Sequence, residues 1–313
     1  MELENIKNEF GLIGVLMGGP SNERTISLRS GKAVSEALKS LNLDVVDLDI
    51  KDSDIDKVAK QIKKSRIDIA FIALHGAFGE DGTIQQLLSD NNIPYTGSGV
   101  AASKSSLNKI TARNIMKQGG LLVPDALILK KDNFDITSIA EFPLVVKPVS
   151  SGSSIGLTIV ETKEGIKSAL DDAFKYDDQV LMEDYIEGRE LTVSILDEKA
   201  LSVIEIVPKR KFFDYQAKYT VGLTDYIIPA VLEKDVYGNV QESALAAHRA
   251  LGCCGFSRVD MIMNSKNNLI ILEVNTIPGM TRNSLLPRAA AAEGYDFAEL
   301  CLKILKLAKK SCE

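Results

Sequence analysis

The chain has 313 residues, more than one ordinary hydrophobic core absorbs, so two or three domains are expected. Its 37 basic residues against 43 acidic ones leave a formal charge of −6, which argues against non-specific binding to nucleic acid or to an anionic membrane. Any phosphate chemistry must then rely on a few placed cations. MELENIKNEF at the start lacks a signal-peptide core, and no apolar run reaches the ~20 residues that span a bilayer. The four cysteines contain no CxxC pair, so neither a zinc site nor a disulfide scaffold is expected, and the cytoplasm is the default location.

In chain order, GLIGVLM (11–17) reads as a buried strand, GGPSNE breaks it, and 24–40 has helical spacing. A second strand at 44–50, a helix at 55–64, a third strand at 66–74 and the end of a fourth at 93–99 follow. This alternation predicts a doubly wound, mostly parallel sheet. Ligands of such sheets lie beyond the carboxyl ends of the strands, where GGPSNER and HGAFGEDG fall. From about residue 105 the pattern changes. A helix over 105–120 ends in Gly-Gly. Short strands are expected at 125–131, 142–148, 156–162, 179–186, 190–196 and 201–207, with one helix at 163–174. This part reads as α+β with antiparallel sheets. A helix at 240–251, strands at 258–263 and 269–275, and a closing helix over about 295–310 complete the chain, without internal repeats.

The strand pair RVDMIM and LIILEVN carries the first candidate site. A loop at Ser265–Asn268 would set Asp260 opposite Glu273 and Arg258 opposite Asn275. Directly opposed residues, and residues two apart, share one face of an antiparallel pair, so the four would converge. A one-residue slip would separate them. Two carboxylates and an amide without His or Cys make a hard oxygen site suited to Mg²⁺. The bland alternative is a solvated strand face with an incidental ion pair.

In FPLVVKPVSSGSSIGLTIVET (142–162), a strand bearing Lys147 runs into a glycine–serine loop. Small residues let backbone N–H groups approach an anion, and hydroxyls add donors. No GK[ST] and no following helix are present, so this is not a Walker loop. It reads either as a flap over phosphates or as an ordinary hairpin turn. VLMEDYIEGREL (180–191) ends a strand at Glu183 and places Glu190 beyond a glycine turn; alone, it reads as a solvated acidic turn. Glu23 stands where a helix dipole favours an acid whatever the function. His75 closes a strand and has a plain structural reading. Asp81 suits a turn or cap, and His248, within a helix, looks structural.

The segments MGGPSNERTISLRSG, ALHGAFGEDGTIQQLL, PYTGSGVAASKSSLNK, VVKPVSSGSSIG, FFDYQAKY, FSRVDMIM and LEVNTIPGMTRNSLLP, in this order from residue 17 to 287, resemble the ATP-grasp superfamily and within it the D-alanine–D-alanine ligase family. The resemblance implies an N-terminal parallel-sheet, Rossmann-like α/β domain over 1–104. A two-part α+β ATP-grasp fold would follow, over 105–188 and 189–313. It implies ATP-driven joining of two D-alanines through an acyl phosphate, for the cell wall. It also implies two Mg²⁺ ions, for which Mn²⁺ can substitute, and a homodimer. Asp260, Glu273 and Asn275 would hold the metal. Lys109, Lys147 and Lys218 would bind phosphates, under a loop carrying Ser153 and Ser154. Glu183 and the Ile186 backbone would read adenine, and Glu190 the ribose. Glu23 would take the ammonium of the first D-alanine, with His75 near. Arg258 and the Gly279 N–H would steady the oxyanion. Ser284 and the Leu285 backbone would take the second carboxylate. Lys218 and Tyr219 would close the site through Ser153 and Glu23. Tyr219 favours the peptide over an ester product. Asp184 and Phe213 depart from residues common in the family; backbone contacts serve at the first, and only loop order is touched by the second.

Overall fold

The computed structural model describes residues 9–134, 141–209 and 222–309. All six residues of β1 (Ile13–Gly18) are buried, as expected of an apolar run covered on both faces. It lies between β2 (Val45–Ile50) and β3 (Ile69–Ile72) in a parallel sheet of order β2-β1-β3. The expected fourth strand reduces to one parallel bridge, Ala70 to Tyr95. Helix α1 (Arg24–Ser40) lies so close on β1 that a Cβ on Gly31 would sit 2.4 Å from that of Met17. Helices α2 (Ile55–Ser65) and α3 (Thr83–Asp90) follow β2 and β3. The parallel strands all end on one side, and this brings the Glu23 turn beside the His75 turn.

The helix expected over 105–120 is two helices, α4 (Val100–Leu107) and α5 (Lys109–Gln118). Asn108 separates them: its backbone is extended and its side chain accepts the Thr111 N–H. Asn caps helices better than it continues them, because its side chain competes for backbone partners. The break makes Lys109 the first residue of α5 and buries it together with Arg113 one turn on.

An antiparallel sheet of order β4-β7-β5-β6 follows, from β4 (Ala126–Lys130), β5 (Leu144–Pro148), β6 (Thr158–Val160) and β7 (Gln179–Asp184). Helix α6 (Ile166–Ala173) buries Ile166, Ala169, Leu170 and Ala173, the three-and-four spacing of a one-faced helix. The second antiparallel sheet has the order β11-β10-β8-β12-β13. Its strands are β8 (Arg189–Leu196), β10 (Ile204–Pro208), β11 (Thr224–Ile227), β12 (Phe256–Met263) and β13 (Leu269–Asn275), with the two-residue β9 (Lys199–Ala200) paired to β8. Helix α7 (Lys234–Ala250) starts before the expected 240 and covers this sheet. It buries His248 completely, with Nδ1 2.7 Å from Ser257 Oγ. Helix α8 (Leu285–Ala292) was not expected from the sequence pattern. The closing α9 (Phe297–Leu307) shares a core with α1, so the end of the chain returns to its beginning. No helix among the described residues is long and apolar enough to cross a membrane.

The β12–β13 register is the expected one only where it matters. Arg258 faces Asn275 and Asp260 faces Glu273. Beyond a bulge at Asp260/Met261 the pairing shifts by one, to Met261–Ile271 and Met263–Leu269. The turn is one residue longer than the sequence suggests, because Asn264 accepts from Lys266 and Asn268 and holds a wider loop. The bulge at Leu272 absorbs the extra residue.

Asn108→Ala removes the cap at the α4–α5 junction and is expected to lower the unfolding free energy by about 1 kcal/mol. A urea titration followed by circular dichroism checks this, and an unchanged midpoint would show that the junction does not need the cap.

Candidate active site

A cavity of about 360 Å³ opens between the two antiparallel sheets. Strands β5, β6 and β7 supply one wall, and β8, β10, β12 and β13 the other. Val145, Ile159, Ile206, Ile262 and Leu272 make it apolar, while Lys109, Lys147, Glu183, Glu190, Asp260 and Glu273 give it charge. The linker that carries Ile186 into this cavity must pass tightly under β12. A Cβ on Gly188 would stand 2.3 Å from the Met263 carbonyl oxygen, which only glycine avoids.

The buried cations come from α5 and β5. Lys147 Nζ is 2.6 Å from Glu183 Oε2, and Arg113 Nη1 is 3.4 Å from Glu183 Oε1. All three side chains are at least nine-tenths buried. Two cations on one carboxylate leave net positive charge beside the cavity. Lys109 Nζ donates to the Ser151 carbonyl at 2.7 Å and stands 3.8 Å from Glu273 Oε2. Burial pushes the Lys109 ammonium below its ordinary range, partly offset by Glu273.

On the opposite wall, Asp260 accepts from Arg258 Nε at 2.8 Å and Nη2 at 2.6 Å, from Thr192 Oγ1 at 2.6 Å, and from Asn275 Nδ2 at 3.2 Å. Asn275 Nδ2 also lies 3.5 Å from Glu273 Oε1. Asp260, Glu273 and Asn275 thus share one face, as the register demands. A half-turn of the Asn275 amide exchanges its nitrogen for its oxygen and completes a three-oxygen donor set. Among the described residues no three His, Cys, Asp or Glu side chains gather into a metal cage. One or two carboxylates completed by phosphates and water are what Mg²⁺ takes, so the donor set fits that ion.

The third part of the site belongs to the parallel sheet. Glu23 is buried before α1, and His75 is buried after β3. Ser153 Oγ–H donates to Glu23 Oε1, so the glycine–serine loop reaches across to the N-terminal turn. Ser153 and Ser154 both have left-handed backbones, at φ of 53° and 57°. That conformation costs non-glycine residues about 1 kcal/mol or more each. Here the Ser153–Glu23 bond and the Leu157 N–H to Ser154 carbonyl bond hold it in place. A narrow cleft of about 20 Å³ between Glu80, Gly152, Lys109, Glu273 and Asn275 joins this end to the acidic face.

Beyond β13 the chain turns through Gly279. A Cβ there would lie 3.0 Å from Ser284 Oγ. Ser284 Oγ accepts the Thr281 N–H at 3.1 Å and lies 2.8 Å from Thr281 Oγ1. Ser284 precedes α8, whose first residue is Leu285, so unpaired N–H groups of a helix start are presented there.

Eight of the expected residues, Lys109, Lys147, Ser154, Glu183, Ile186, Glu190, Asp260 and Glu273, line the cavity between the antiparallel sheets, and Arg258 and Asn275 contact its acidic wall. Glu23, His75 and Ser153 form the adjoining end, and Gly279, Ser284 and Leu285 the separate C-terminal turn. Lys218, Tyr219 and Phe213 lie outside the described residues. Asp81 is a turn former, accepting from Phe78 and Thr83. Sequence reading missed Arg113, Glu80, Ser30, and the Arg189–Glu205 pair at 2.6 Å beside Glu190. Arg113 was findable, standing four residues after Lys109 on one helical face. Ser30 and Glu80 gave no signal, because their partners are remote in sequence.

The chain resembles known proteins along nearly its whole length. Residues 115–306 match the family described as D-ala D-ala ligase C-terminus, and residues 49–98 match D-ala D-ala ligase N-terminus. It is 46% identical over 293 residues to a D-alanine–D-alanine ligase of Syntrophotalea carbinolica, covering 94% of each chain. The D-alanine–D-alanine ligase of Bacillus anthracis, solved in complex with ATP, superposes with a TM-score of 0.84 at 33% identity, over 96% of this chain and 97% of that one. The VanG D-Ala:D-Ser ligase of Enterococcus faecalis superposes at 0.80 and 30% identity, over 95% and 99%.

Burial, and then the neighbouring Glu80 carboxylate, raise the Glu23 carboxyl above its ordinary value of 4.5. A carboxyl raised in the folded state contributes stability that is complete below its unfolded value and is lost as the pH rises through the folded one. Glu23→Gln removes the buried charge. Its melting temperature should therefore gain on the wild type between pH 4.5 and pH 8, in scanning calorimetry at both values; a difference that does not widen with pH refutes the assignment.

Proposed function

The chain belongs to the D-alanine–D-alanine ligase family, and on that premise we infer that it joins two D-alanines into D-alanyl–D-alanine at the expense of ATP, for the peptidoglycan precursor. The observation that carries the site assignment is the facing of Asp260 with Glu273 and of Arg258 with Asn275 on the wall of a cavity lined by Lys109, Lys147 and Glu183.

The first D-alanine carboxylate must attack the γ-phosphorus of ATP, an approach of anion to anion. ADP leaves, and an acyl phosphate results. The second D-alanine, through its neutral amine, attacks the acyl carbon, and phosphate departs with the amine's proton. Electrostatic stabilisation placed in advance is the main requirement of such a reaction. Mg²⁺, two ions in this reading and replaceable by Mn²⁺, supplies charge that neutralises the phosphates where Asp260, Glu273 and Asn275 would hold it. Lys109, Lys147, Lys218 and the loop through Ser153 and Ser154 bind the phosphates. Lys147 leaves Glu183 to do so. Glu183 keeps Arg113 as its partner, so it is not left as a bare buried charge, which would cost about 3–5 kcal/mol. Glu183 and the Ile186 backbone read the adenine edge, and Glu190 the ribose.

Glu23 binds the ammonium of the first D-alanine beside His75. Arg258 and the Gly279 N–H hold the oxyanion. Ser284 and the Leu285 N–H take the carboxylate of the second D-alanine at the start of α8. The divisions at 104/105 and 188/189 are proposed from the family resemblance; the second falls between β7 and β8, whereas the first falls within α4. A homodimer and a cytoplasmic location are proposed from the family resemblance.

Phosphate release from ATP and Mg²⁺, with products weighed by mass spectrometry, tests the function with D-alanine, L-alanine, D-alanine plus D-lactate, or D-alanine plus D-serine. Release with D-alanine and a D-alanyl–D-alanine mass is expected; a mixed product formed in preference would move the chain to another second substrate. Glu273→Gln and Lys147→Met should each lower kcat/KM by about 10²-fold or more. Near-normal rates in either would overturn its assignment.

A further inference from the structure

Ser30 lies on α1 with no exposed surface, and its hydroxyl joins two parts of the site that are far apart in sequence. The Met280 backbone N–H donates to Ser30 Oγ at 3.2 Å. His75 Nε2 lies 3.1 Å from the same oxygen. Met280, fully buried, follows Gly279 in the turn between β13 and α8. His75 lies at the carboxyl end of the parallel sheet.

Satisfying every buried proton favours one direction for these two bonds. A backbone N–H can only donate, so Ser30 Oγ accepts from Met280. A hydroxyl carries one proton, and His75 Nε2 is the other polar atom bonded to Ser30. The arrangement that leaves no buried hydroxyl proton without an acceptor has the Ser30 O–H donating to Nε2. The ring proton then sits on Nδ1, facing Glu80 Oε1. That contact is 3.8 Å, too long for a hydrogen bond, so the carboxylate attracts the proton without fixing it. Glu80 is itself held by the Gly76 N–H at 2.9 Å. Ser30 makes the only hydrogen bond to the imidazole nitrogens among the described residues.

We propose that Ser30 is a positioning residue of the ligase reaction, holding the His75 ring in its Nδ1–H form and tying it to the turn that presents the Gly279 N–H. This rests on the ligase reading of the site. The bond links the first-substrate end to the oxyanion and second-substrate end. The ring nitrogen set by the hydroxyl decides which edge of the imidazole offers a proton beside Glu23 and Glu80.

The chain has only two histidines, so an imidazole ¹⁵N spectrum of the full-length protein labelled in histidine is simple to read. The His75 signals are those missing from His75→Asn. At pH 8, above the range in which an ordinary imidazole protonates, the wild type should show a protonated Nδ1 and a pyridine-type Nε2. A protonated Nε2 overturns the proposal, and this arm needs no Ser30 variant to fold. Ser30→Ala should shift the ring toward the other tautomer. It should also raise the KM for the second D-alanine about tenfold, the effect of one buried N–H left unpaired, with the KM for ATP unchanged. Ser30→Cys, with a weaker donor of similar shape, should recover part of both effects. If the wild type forms no D-alanyl–D-alanine, the ligase reading fails; if it does and Ser30→Ala matches it in tautomer and KM, this inference alone fails.

Discussion

The pairing of β12 with β13 is the constraint on which the site depends. Asp260 and Glu273 sit on neighbouring strands, and only direct opposition brings their carboxylates to one face with Arg258 and Asn275. A slip of one residue would turn one partner of each pair to the other side of the sheet. The hydrogen-bonded ladder therefore does chemical work before any ligand arrives. It holds two like charges near one another, and Arg258, Thr192 and Asn275 offset the cost.

The second constraint is charge balance in a cavity that excludes much of the solvent. An acidic chain binds an anionic nucleotide by burying a few cations, not by spreading charge over its surface. Lys109, Lys147 and Arg113 are all nearly inaccessible, and each is held by an acid or a carbonyl. Glu183 is the hinge of this arrangement. Shared between Lys147 and Arg113, it can release the first without becoming a solitary buried charge.

The parallel sheet completes the site by reaching it from a third direction. Its strands end together, so Glu23 and His75 meet there although they stand 52 positions apart in the sequence. The Ser153 hydroxyl brings the glycine–serine loop onto Glu23, and Ser30 connects His75 to the turn after β13. The helices α1 and α9 share one core, which fixes the parallel sheet against the C-terminal part of the chain. The Glu23–His75 end of the site thus depends on packing between the first and last helices.

Much of this was legible in the residues themselves. Strand and helix types followed from apolar periodicity and glycine breaks, and the facing of Asp260 with Glu273 and of Arg258 with Asn275 followed from the spacing of the two strands. Those are local properties, set by backbone sterics and by the period at which side chains reach one face. What only the tertiary structure decided was set by partners distant in sequence. Asn108 broke a helical pattern because capping α5 beat continuing it. The β12–β13 turn widened by one residue, and the bulge at Leu272 restored the register at the site. Glu183 acquired Arg113, and His75 acquired Ser30, through contacts of 70 and 45 positions' separation. Periodicity carries no record of such pairings, because a hydrogen bond between buried groups depends on where two elements dock and not on what lies beside them in the chain.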